Sequence, residues 1–147
     1  MAEALRVWIR GFALAAWLAS ASCQPAEGPA PIAYDREPCA HCGMLISDPA
    51  FSAQLQLESE DPLGFDDPGC LLRYRAERKP RWRAAWYHHV REPRWIAEPE
   101  VAFDRFERTP MGYGIGAVDR DSPGSMTLDE AERHVRAKHR EGADAPH

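Results

Sequence analysis

Residues 39–44 read Cys-Ala-His-Cys-Gly-Met, and residues 110–112 read Pro-Met-Gly. Sulfur dominates both stretches. Cys39 and Cys42 stand in a C-x-x-C spacing, and Met44 follows two residues later. Three chemistries fit. A thiol–disulfide pair wants its C-x-x-C after a strand and at the opening of a helix; here a proline-rich stretch precedes it and Gly43 follows. A structural zinc site wants four ligands in a tetrahedron. Cys39, Cys42 and Cys70 supply three thiols, and His88 or His89 is the candidate fourth. Copper(I) is soft and accepts two or three sulfurs, from thiolate or thioether.

The methionines discriminate among these. Met126 sits just before an amphipathic stretch, where a hydrophobic staple onto Ala131 explains it. Met44 and Met111 each lie beside a glycine, in Cys42-Gly43-Met44 and Pro110-Met111-Gly112, outside any amphipathic pattern. Core methionines normally ride on periodic elements. A thioether on a turn, ready to bind without losing a proton, suits a copper(I) carrier. Ligation and core packing both fit Met44 and Met111 on this pattern, and with Cys42 and Cys39 they are the candidate metal ligands, the set the resemblance given below implies. Cys70 reads as a buried helix thiol. Asp66 and Asp67 read as helix capping ahead of Pro68, and adjacent His88 and His89 must face opposite sides of a strand.

The elements that hold these residues follow from pattern. Phe51, Ala53, Leu55 and Leu57 alternate with polar residues, the mark of a half-buried strand, and Phe65 begins a second. DDPGCLLRYRAERK reads as a helix with Pro68 at its first position and Cys70 in its first turn. AAWYHHV and RWIAEPEVAFDRF read as short strands broken by Pro93 and Pro99, and GYGIGAV as another. Thr127 and Glu130 form a capping box that opens a last helix. The expected class is α+β, one compact domain of two ββα-type halves with mostly antiparallel strands.

The beginning of the chain reads as an export signal. Arg6 and Arg10 precede a short apolar run, and small residues lead to Cys23. That arrangement is expected of a bacterial lipoprotein, with residues 1–22 removed and Cys23 carrying the lipid. Residues 23–38 are then a Pro/Ala-rich tether, 39–140 the metal-binding domain and 141–147 a flexible tail. The expected location is periplasm-facing and lipid-anchored, in the outer membrane. Of four cysteines, three remain after acylation, an odd number for an oxidising compartment. The net charge of −5 argues against nucleic acid. No Ser-His-Asp order, phosphate-cradling loop or dinucleotide fingerprint is present, so a binding protein is expected rather than an enzyme.

Together, CAHCGM, FDDPGC before a helix, the tryptophan-rich strand pair and TPMGYGIGAV resemble the NosL family of copper-binding lipoproteins that accompany nitrous oxide reductase. The resemblance spans roughly residues 38–138. It implies an α+β fold in two similar halves and Cu(I) carried on cysteine and methionine sulfur. It also implies delivery to a copper enzyme, nitrous oxide reductase, docked on a membrane-embedded ABC-type maturation complex. The family's Cys-Gly-Met motif falls on Cys42, Gly43 and Met44, and its Met-Gly motif on Met111 and Gly112. This chain is shorter in its second half than that family's pattern. Two readings of other classes stay open: a zinc-stapled structural or interaction module, and a thiol–disulfide redox protein.

Overall fold

Alternating apolar residues build β1 (Ala53–Leu57), and the turn after it leads into β2 (Leu63–Phe65). Asp67 then stops the extended chain. Its backbone is extended (φ −147°), its carboxylate accepts the Gly69 N–H, and Pro68 starts α1 (Pro68–Arg78). Four further strands follow: β3 (Trp82–His88), β4 (Trp95–Ala97), β5 (Val101–Arg105) and β6 (Ile115–Asp119). The capping box then opens α2 (Leu128–Ala143): the Thr127 N–H donates to the Glu130 carboxylate at 2.8 Å. The computed structural model describes residues 28–143. The expected signal segment and Cys23 lie outside the described residues.

Both sheets are antiparallel. The larger has the order β2-β1-β3-β4, with Ala53 facing Phe65 on one side and Tyr87 on the other. The smaller pairs β5 with β6. The fold is α+β, and each half closes with a helix as expected. The second half divides its strands: β3 and β4 extend the first half's sheet, leaving β5 and β6 as a ribbon. A parallel bridge between His89 and Ala117 joins the two sheets. Tyr87 and Phe103 meet edge to face across the join, with centroids 5.2 Å apart, a geometry worth about 0.5–1.5 kcal/mol beyond burial.

The core holds Ile46, Leu55, Phe65, Leu71, Tyr87, Phe103, Ile115 and Val135. Met126 joins it, and its backbone exchanges two hydrogen bonds with Phe103. Among the described residues no helix is long and apolar enough to cross a membrane.

Two sequence expectations need correction. β1 is buried on both faces, Gln54 and Gln56 included. Their amides need partners once out of water, and residues 28–30 provide them. The Ala30 N–H donates to Gln54 Oε1 at 2.7 Å, Gln54 Nε2 donates to the Ala30 carbonyl, and Gln56 Nε2 donates to that of Gly28. Ile32 and Tyr34 pack on the core as well. Residues 28–34 thus lie as a strap against β1 and the core, within the stretch expected to be a tether. At the other end α2 continues to Ala143, beyond the expected boundary at 140.

Candidate metal centre

The loop carrying the C-x-x-C is closed on itself. The Cys39 N–H donates to the Met44 carbonyl at 2.7 Å, and the Gly43 N–H to the Cys39 carbonyl at 3.0 Å. Gly43 makes the turn at φ +76°, in the left-handed region that other residues enter only at a cost. Pro38 and Leu45 bridge behind it, and the Ala40 N–H ties the loop to Gly64 in β2. Cys39 is thereby buried (2% exposed), Cys42 half-buried and Met44 left 60% exposed.

Cys70 comes from the first turn of α1 and is fully buried. The Sγ atoms of Cys39, Cys42 and Cys70 all lie within 4.8 Å of one another, and all three thiols are free. This group can bind a metal ion. Cys70 is the third member of the group, a thiol that the sequence joined to the pair under the zinc reading and read as a buried helix thiol under the copper one. Its burial was legible; its meeting with the C-x-x-C depends on how α1 packs against the loop. The odd cysteine count and the three-thiol zinc set both pointed to it.

The trio shares negative charge unevenly. The Cys39 thiol is pulled down to about 5, chiefly by the hydrogen bond from Cys70 and also by backbone N–H groups, with burial opposing. Cys70 is pushed up because it donates to Cys39 and is buried beside that charge. Cys42 is pushed up mainly by burial. Negative charge in the trio is favoured on Cys39, which the other two thiols hold.

FDDPGC has a structural role beyond the cap. Asp67 Oδ1 takes the Gly69 N–H at 2.8 Å, and Oδ2 takes the Met111 N–H at 3.2 Å. Asp66 caps nothing; its Oδ1 accepts the Ser47 N–H at 3.1 Å, just beyond the cysteine loop. The two carboxylates pin the Met44-bearing and Met111-bearing loops to the start of α1. Tyr113 finishes the wall. Its half-buried ring lies so close to Gly69 that a Cβ there would fall 2.2 Å from Tyr113 Cγ. Burial pushes its hydroxyl up to about 12. Nothing in the sequence marked Tyr113.

Met44, Leu45 and Met111 are the large apolar side chains that the described residues leave exposed. Two of the three are the predicted thioether ligands, on loops anchored around the thiols. His41, inside the C-x-x-C, is kept neutral at pH 7 by burial and by the charge of Arg73; its Nδ1 lies 3.8 Å from the Glu77 carboxylate.

The histidines offered as a fourth zinc ligand are placed elsewhere. His89 is buried in a second group with Glu92 and Asp119, where Arg94 donates to both carboxylates and closes an ion-pair network. His88 packs edge-on against Trp95. Among the described residues the cysteine group holds three Cys, His or carboxylate donors, one short of a closed tetrahedral zinc shell.

Comparison with protein-family models, with curated proteins and with solved structures finds no match for this chain.

Proposed function

We propose that this chain is a metallochaperone: it binds Cu(I) on cysteine sulfur, with methionine at the mouth of the site, and passes it to a copper enzyme. The observation that carries this reading is the pairing of a three-thiol group, two of its thiols buried and Cys42 half-buried, with two solvent-exposed methionines on loops anchored to the start of α1. Copper(I) accepts three sulfurs in a plane, and thioethers bind it without proton loss. A carrier has to admit the acceptor's ligands before its own depart. Cys42, Met44 and Met111, the least buried sulfurs, offer that path, while Cys39 and Cys70 hold the ion from below.

The rest of the proposal follows the sequence resemblance. The client is nitrous oxide reductase, reached through its ABC-type maturation complex, and Cys23 anchors the chain by lipid to the periplasmic side of the outer membrane. Membrane attachment is checked by fractionation: full-length chain partitions with membranes and Cys23→Ala does not.

The metal assignment is tested by anaerobic purification and elemental analysis. The expected result is about one copper per chain, lost in Cys42→Ser and in Cys70→Ser, with copper–sulfur scattering in X-ray absorption. Stoichiometric zinc with negligible copper refutes the reading and leaves the zinc-stapled module.

A further inference from the structure

The two helices pack side by side and leave a cleft of about 310 Å³ between them. That is the size of a small-ligand pocket. Its walls are unusual for a chain of net charge −5. Arg73, Arg75 and Lys79 come from α1 and its C-terminus, Arg136 from α2, and Trp82 from β3. Glu132 is the one carboxylate in the lining, and it approaches Arg136 no closer than 4.0 Å.

These cations differ in how fully they are used. Arg75 is committed: it donates to Glu98 and lies 4.2 Å over the Trp82 ring. Lys79 forms no salt bridge among the described residues. Arg73 gives one terminal nitrogen to Glu77, while the other, Nη1, is buried without any hydrogen-bond partner. A guanidinium N–H hidden from water and left unpaired is costly, and such groups are rare unless something meets them.

We propose that this cleft binds a phosphate-type oxyanion. Arg73, Lys79 and Arg136 supply charge from the two walls. Planar guanidinium groups match the oxygens of a phosphate, and such charge-assisted bonds are the strong ones. Trp82, stiffened by Arg75, forms an apolar wall for whatever the phosphate is attached to. The group can come from a soluble phosphate or from a phospholipid head. The binding itself uses no metal, although Arg73 and its partner Glu77 also adjoin His41 of the C-x-x-C loop.

The test uses metal-free full chain. Inorganic phosphate is titrated calorimetrically, and co-sedimentation with phosphatidylglycerol vesicles is compared with phosphatidylcholine vesicles. The expected result is saturable binding weakened roughly tenfold or more by Arg73→Gln and by Arg136→Gln, and unchanged by Arg108→Gln. Binding of free phosphate assigns a soluble ligand. Binding of phosphatidylglycerol vesicles alone, with the same dependence on both arginines, assigns a lipid head. Arg136 is exposed, so its variant reports even if Arg73→Gln misfolds, and circular dichroism checks both. Saturable binding of neither probe, or binding that ignores both substitutions, overturns the proposal.

Discussion

The carboxylate of Asp67 holds the backbone of Met111 at 3.2 Å while its other oxygen caps the helix that carries Cys70. One carboxylate thus ties a loop 44 positions away to the first turn of α1. With Asp66 holding Ser47, the start of α1 is the hub on which both methionine loops are hung.

That hub titrates. Burial pushes Asp67 up to about 6, against the Thr109 hydroxyl and the Gly69 and Met111 N–H groups. The folded state therefore binds a proton more tightly than the unfolded chain. Its contribution to stability is fully present below pH 4 and is lost as pH rises to 6, on the order of 2–3 kcal/mol. Asn caps a helix about as well as Asp. The stability of wild type relative to Asp67→Asn should accordingly fall between pH 4 and pH 7, read by urea unfolding of metal-free protein. A constant difference across that range contradicts the assignment.

Met44 and Met111 are exposed, so removing them should leave the fold untouched. Met44→Ala and Met111→Ala should shift unfolding free energy by less than about 0.5 kcal/mol. Each should weaken Cu(I) binding by roughly 10- to 100-fold, the scale on which residues around a metal set its affinity. Competition against a chromophoric Cu(I) chelator, alongside thermal unfolding, separates the two effects.

Gly69→Ala drives a methyl group into Tyr113. The ring must leave the first turn of α1, destabilising the protein by about 1–3 kcal/mol. Cys70, the next residue in that turn, should then react faster with a thiol reagent than in wild type. Unchanged labelling kinetics would mean that Tyr113 does not shield the site.

Metal binding should release protons. At pH 7 Cys39 is already a thiolate, whereas Cys42 and Cys70 are held protonated. An ion that takes all three as thiolates displaces about two protons, so log affinity should rise with pH at a slope near two. Below about pH 5 Cys39 also protonates and the slope steepens toward three. Cys42→Ser should lower the slope by about one at neutral pH. A flat profile would indicate a thioether site in which the thiols take no part.

Much of the fold was legible because its signals are local. The Asp67–Pro68 start of α1, the Thr127–Glu130 box and the alternation in β1 each reside within a few residues. The polar face of β1 was misjudged for the opposite reason: Gln54 and Gln56 look solvent-facing until residues 28–30, far away in sequence, arrive to bond them. The candidate site divides the same way. Cys39, Cys42, Met44 and Met111 stood out by residue type and by glycine neighbours. Cys70 and Tyr113 joined through the packing of α1 and the Met111 loop, which no spacing rule encodes.

The most direct test of the copper-carrier account is an anaerobic competition of Cu(I) and Zn(II) for metal-free protein, with circular dichroism before and after metal removal. A carrier with an open sulfur site on a self-sufficient core stays folded without metal. It should take one Cu(I) in preference to zinc, and that preference should weaken in Met111→Ala. Chelation that unfolds the wild type, or a zinc affinity that beats copper and collapses with Cys70→Ser while ignoring Met111→Ala, contradicts the account.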